Sequence, residues 1–106
     1  MKQISNQIID EIVRRIIESA KPVKIILFGS FARGDQTEES DIDLLVIKDE
    51  VMFRRKEMTM IRRVLRDMRI PVDIIVASKK QIEEYGQICG TALFSAVQEG
   101  KTLYAR

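Results

Sequence analysis

Two acidic residues one position apart, Asp41 and Asp43, open the apolar run DIDLLVI, and a third, Asp73, stands inside the later run PVDIIVA. Successive side chains of a β-strand leave opposite faces, so Asp41 and Asp43 project together while Ile42 and Leu44 turn the other way. Carboxylates held side by side repel one another unless a cation lies between them, and hard oxygen donors of this kind suit Mg2+ or Mn2+. Taken alone, an Asp-x-Asp pair more often belongs to a solvated strand end. Asp73 strengthens the case, because an acid in an otherwise apolar strand needs a partner. If its strand lies beside that of Asp41 and Asp43, three carboxylates converge, enough for two metal ions roughly 4 Å apart. The competing expectation for Asp73 is an ion pair with one of the chain's many arginines.

Upstream, the run VKIILF ends at Gly29 and Ser30. A glycine lets the backbone approach a ligand closely, and Ser30 offers a hydroxyl and an N–H at the start of a short helix, a setting that suits phosphate oxygens. A Gly-Ser after a strand is commonly no more than a turn. The combination and its spacing carry the weight: ten residues separate Ser30 from Asp41, and Asp73 follows Asp43 by thirty positions.

The elements that must hold these residues follow from periodicity. Ile8, Ile9, Ile12, Val13, Ile16 and Ile17 recur at helical intervals until Pro22 stops them. VKIILF, DIDLLVI and PVDIIVA read as three strands, the polar ARGDQTEES as the loop between the first two, and residues 51–69 as a helix. Its apolar stripe is expected to be Phe53, Met60, Ile61, Val64, Leu65 and Met68, with the methionines filling the core. Ser78 and Gln81 have the spacing of a capping box opening a short helix toward Tyr85. Gly86 and Gly90 interrupt the chain before a last helix at TALFSAVQE, which Gly100 closes, and KTLYAR is placed as a short edge strand. PVKIILF and PVDIIVA echo each other, but their flanks do not, so they read as two buried strands rather than a repeat. The expectation is one α/β domain over residues 1–106, a mixed sheet packed by helices.

Composition narrows the chemistry. The 106 residues contain no histidine and a single cysteine, Cys89. Ser-His-Asp and Cys-His catalysis, a Cys/His zinc site and an internal disulfide are therefore all excluded, and Cys89 is expected to be dispensable. Carboxylates, hydroxyls, Lys, Arg, Tyr or an oxygen-bound metal must do any chemistry. No apolar run approaches a membrane span, and MKQISNQIID lacks a signal peptide's apolar core, so a cytoplasmic location is expected. The net charge of +2 hides segregated signs.

The segment GSFARGDQTEESDIDLLV, with its Gly-Ser, ten-residue spacing, Asp-x-Asp and later strand aspartate, resembles the signature of the DNA polymerase β-like nucleotidyltransferase superfamily. Arg33-Gly34, Ser40 before Asp41 and the short chain make it most similar to the minimal nucleotidyltransferases, the MNT antitoxins encoded beside HEPN ribonuclease toxins. The resemblance implies a palm-like fold in which the phosphates of a nucleoside triphosphate lie against Gly29 and Ser30, with Arg33 and Ser40 beside them. It also implies that Asp41, Asp43 and Asp73 ligate two Mg2+ ions, Asp73 helping to activate an acceptor hydroxyl. The implied reaction moves AMP from ATP to a tyrosine of a HEPN toxin, silencing its RNase activity within a hetero-oligomer. For Arg33, a structural role capping the loop is equally open.

Two other functions stay open. A nucleotidyltransferase fold could silence a toxin by stoichiometric binding, against which the complete triad argues. A transferase could instead act on a small molecule, although this short core lacks a domain to bind one. Arg54, Arg55, Lys56, Arg62, Arg63, Arg66 and Arg69 oppose only Glu57 and Asp67 along the 51–69 helix. That helix is either a solvated face or a docking surface for an acidic partner; its few aromatics argue against direct nucleic-acid binding.

Overall fold

A computed structural model describes residues 5–37, 39–86 and 92–106. The first helix, α1 (Asn6–Ala20), starts where Ser5 turns its side chain to accept the Ile8 N–H, and it buries Ile12, Ile16 and Ala20 along one stripe. It stops at Lys21, whose left-handed backbone (φ 49°) returns its N–H to the Ile17 carbonyl just before Pro22.

Four strands follow: β1 (Lys24–Phe28), β2 (Ile42–Lys48), β3 (Val72–Ser78) and β4 (Lys101–Ala105). They form one sheet in the order β3-β2-β1-β4. β1 runs antiparallel to both β2 and β4, whereas β2 and β3 are parallel, so the sheet is mixed as expected. Parallel neighbours need a crossover, and α3 (Arg54–Leu65) supplies it, followed by a 3-10 turn at Arg66–Met68. The remaining helices are α2 (Ser30–Arg33), α4 (Lys79–Tyr85) and α5 (Ala92–Glu99).

The alternation of the strands builds two apolar layers. Ile25, Leu27, Ile42, Leu44, Val46, Ile74 and Val76 pack on the face covered by α1 and α3, with Ile12, Ile16, Ile61 and Leu65. Ile26, Phe28, Leu45, Ile47 and Ala77 pack on the other face, against Ala96 and Leu93 of α5 and Ile82 of α4. Truncating a fully buried isoleucine such as Ile61 to alanine costs about 2–5 kcal/mol at sites of this kind, so the crossover helix is firmly seated. Polar clamps fix its ends. Arg15 of α1 donates to the Val64 carbonyl (3.0 Å) and to Asp67 (2.6 Å), and Lys48 at the end of β2 pairs with Glu57.

Several expectations are met in detail. Ser78 and Gln81 form the capping box, with Gln81 N–H donating to Ser78 Oγ (3.1 Å) and Ser78 N–H to Gln81 Oε1 (2.9 Å). β4 is an edge strand, and the Gly100 N–H closes α5 on the Ala96 carbonyl. Cys89 and Gly90 lie outside the described residues. The 51–69 helix is shorter than its periodicity suggests, beginning only at Arg54. Phe53 is its N-cap in a non-helical conformation, so it falls off the stripe and is 65% exposed. Met60 sits one residue round from buried Ile61, at the stripe's margin, and is 39% exposed. Met58 and Met68 do pack against the core.

Candidate active site

The parallel register sets Asp43 directly beside Asp73, and the antiparallel register sets it opposite Phe28, the last residue before the Gly29 turn. Asp43 shares a face with Leu45 and Ile47, and Asp73 with Ile75 and Ala77, so both carboxylates leave the sheet on the α4/α5 side. Asp41 precedes β2 by one residue. The alternation places it on that side too.

The electrostatics agree. The Asp43 carboxyl is pushed above the ordinary carboxylate range, first by its partial burial and then by repulsion from Asp73 and from Asp41; the Arg33 charge opposes the rise. Asp73 and Asp41 therefore both act on Asp43. As the side chains stand, no three acidic groups converge on one point among the described residues. The donor set consists of carboxylate oxygens, the type that a small divalent cation takes. Such a cation would relieve the repulsion that raises Asp43, so the residues present fit it.

Gly29 explains why the turn stands where it does. Its backbone lies at φ 74°, ψ −154°, a region essentially reserved for glycine. A Cβ there would collide with Asp43 Oδ2. The carboxylate thus rests against the turn in the space that the missing side chain leaves. Ser30 opens α2, and the Gly29 carbonyl accepts the N–H groups of Ala32 and Arg33, while that of Ser30 accepts those of Gly34 and Asp35.

The other expected residues are placed differently. Arg33 donates to Asp35 (3.2 Å) and lies 3.6 Å from Glu99 of α5, so it ties the loop to α5 while its charge reaches Asp43. Ser40 Oγ accepts the Thr37 N–H (2.8 Å) and its own N–H donates to the Thr37 carbonyl, holding the loop that delivers Asp41. Asp73 is not buried: β3 is an edge strand, and the side chain is 61% exposed, with Arg62 at 3.8 Å. Of the two competing expectations for Asp73, the ion pair is present with Arg62, and the register sets Asp73 beside Asp43. Sequence reasoning left Arg62 within a general basic face; the signal that singles it out is its place in the last turns of the helix that leads back to β3.

Residues 9–98 match the family model for a nucleotidyltransferase domain. The chain belongs to the nucleotidyltransferase family. A relative from Methanocaldococcus jannaschii, provisionally named protein adenylyltransferase MJ1379, is 39% identical over 97 residues, covering 79% of this nucleotidyltransferase and 95% of the relative. MJ0604 of the same organism, named in the same way, is 77% identical over a stretch of 26 residues, 24% of this chain and 26% of that protein. Among solved structures, one provisionally described as a nucleotidyltransferase from Sulfolobus solfataricus superposes with a TM-score of 0.66 at 26% identity, covering 94% of this chain and 79% of the other. A toxin-antitoxin structure with AMP-PNP superposes with a TM-score of 0.64 at 20% identity, covering 92% and 73%, and shares the fold. No helix among the described residues is long and apolar enough to cross a membrane.

Proposed function

We propose that this nucleotidyltransferase transfers AMP from ATP to a hydroxyl of a partner protein, a tyrosine of a HEPN-type toxin, and so acts as a cytoplasmic antitoxin. The observation that carries the reading is the meeting of Asp43, Asp73 and the Gly29 turn at one end of the sheet. The provisional name of MJ1379 supports protein as acceptor and adenylate as the transferred group, and the fold shared with a toxin-antitoxin structure supports the biological setting.

On this reading Asp41, Asp43 and Asp73 would hold two Mg2+ ions, which would supply charge neutralisation and alignment for an in-line displacement. The Gly29-Ser30 turn receives the triphosphate through backbone N–H groups, and Arg33, already felt at Asp43, adds positive charge beside it. Ser40 acts from one step back, by fixing the loop before Asp41. The exposed carboxylate of Asp73 accepts the hydrogen bond of the acceptor hydroxyl. A bond would form between that oxygen and the α-phosphorus as the bond to pyrophosphate breaks, the hydroxyl proton passing by way of the Asp73 carboxylate to solvent.

The test is to co-express the chain with the product of its neighbouring gene, purify the complex, and weigh the partner intact. Added AMP on the partner, absent when Asp41 and Asp43 are both changed to asparagine, is the expected result. If the partner is unmodified and the double variant neutralises it equally well at every ratio, stoichiometric binding takes the place of transfer.

A further inference from the structure

The outer side of α3 and the segment before it expose Met52 (80%), Phe53 (65%) and Met60. Together with Glu50, Lys56 and Glu57 they line one shallow groove. A second groove shares Lys56 and Met60 with it and adds Arg55, Thr59 and Arg63. Contiguous exposure of large apolar side chains invites association, and a surface of this kind usually has something to cover it.

The unpaired charges around it are positive except for Glu50. Glu57 is neutralised by Lys48, and Arg62 is engaged by Asp73. Arg54, Arg55, Lys56 and Arg63 pair with no carboxylate among the described residues, and Glu50 is the lone acid at the rim without a cation. A second copy of this chain would bring the same positive charges within a screening length of about 10 Å and be repelled. For a nucleic acid, Phe53 is the single aromatic lining the grooves among the described residues, too few to stack successive bases. Methionine, phenylalanine and arginine together are instead the composition of a protein-binding patch.

We propose that this face docks an acidic protein segment with an apolar anchor, its hydrophobic side chains seated among Met52, Phe53 and Met60 and its carboxylates against Arg55, Lys56 and Arg63. The face adjoins Lys48, at the opposite end of β2 from Asp43, about 17 Å away at ~3.4 Å per residue. The seat of the apolar anchor, at Met52 and Phe53, therefore lies at the far end from the aspartates, while Arg63 is next to the Arg62 that faces Asp73. The docking does not depend on the transfer reaction.

The test uses fluorescence anisotropy, with the protein in metal-free buffer without nucleotide. The probe is a labelled synthetic helical peptide whose leucines repeat at i, i+3, i+4 and i+7 with glutamates elsewhere. A peptide of the same composition with its leucines scrambled and an oligouridylate are the comparisons. The amphipathic peptide is expected to bind about tenfold or more tightly than the scrambled one. Met52→Ser with Phe53→Ser, and separately Arg55→Glu with Arg63→Glu, are each expected to weaken it by about tenfold with unchanged thermal unfolding. No binding of the amphipathic peptide, equal binding of both peptides, tighter binding of the oligouridylate, or insensitivity to these substitutions overturns the proposal. So does a concentration-dependent dimer in sedimentation that the Met52/Phe53 variant abolishes, since that makes a second copy the occupant. Because neither metal nor nucleotide is present, each of these results is independent of whether the aspartates catalyse transfer.

Discussion

Replacing Gly29 by alanine tests whether the turn and Asp43 are one structural unit. The substitution has two separable costs. Holding a Cβ-bearing residue at φ 74°, ψ −154° costs about 1–3 kcal/mol. The added methyl also meets Asp43 Oδ2 and, at 3.1 Å, Asp43 Cγ, and overpacking of that sort adds about 1–3 kcal/mol. Removing the carboxylate separates the two. In an Asp43→Ala background only the Asp43 Cβ remains, at 3.4 Å, an ordinary contact, so Gly29→Ala there costs the backbone part alone. The double-mutant cycle should therefore return a coupling of about 1–3 kcal/mol. Gly34→Ala calibrates strain without collision, since Gly34 has φ 82° and nothing within 4 Å of an added Cβ; it should cost about 1–2 kcal/mol.

Urea denaturation of the four proteins in EDTA reads these values directly. With a slope of about 1–3 kcal/mol per molar urea, the coupling displaces the midpoint by roughly 1 M, and thermal midpoints should differ by about 4–8 °C per kcal/mol in a domain of this size. Equal costs of Gly29→Ala in both backgrounds would refute the reasoning, because the turn would then owe its glycine to backbone conformation and nothing to Asp43.

Asp43→Asn should stabilise the metal-free protein at neutral pH. Burial and repulsion raise the folded carboxyl above its ordinary 3.8, so the native state binds the proton more tightly. The penalty is therefore absent below that value and grows as pH rises through the folded pKa; denaturation across pH should show the variant's advantage growing and then levelling off. Glu11 has the opposite sign. Hydrogen bonds from Arg14 and Arg15 lower it from 4.5 to about 2, so its contribution is present above 4.5 and disappears as pH falls toward 2. Acid unfolding of Glu11→Gln should begin at higher pH than that of the wild type, and high salt should shrink the difference because the group is exposed to screening.

Periodicity made α1 and the strands legible, because Ile12, Ile16 and the β-branched runs carry one unambiguous period each. The adjacency of the aspartate-bearing strands was also legible, since a strand, a helix and another strand in succession most readily form a parallel crossover. What could not be read was exposure. Asp73 is flanked by apolar residues that suggest a buried strand, but edge position depends on the order of the whole sheet, which only the pairing of β1 with β4 fixes. Phe53 was misplaced for a local reason: the helix begins at Arg54 rather than at residue 51, so Phe53 precedes it in a non-helical conformation and the helical period does not govern it. Arg62 reaches an aspartate on the opposite face of the sheet, a contact that passes round an edge no sequence pattern marks.

That edge also orders the site. Gly29 lies at the end of β1, Asp43 on β2 and Asp73 on β3, so the three occupy consecutive strands across one end of the sheet. Exposure rises in the same direction, from a carboxylate pressed against a turn to one open to solvent. A triphosphate seated on the turn would therefore lie to one side of Asp43, and a bulky acceptor could reach only the other side, where the sheet ends. In-line displacement needs the attacking and leaving oxygens on opposite sides of the phosphorus, and a donor and an acceptor arriving from different sides of Asp43 are compatible with that. An additional strand beyond β3 would close that approach; on the proposed reading, the short sheet is what leaves room for a protein as acceptor.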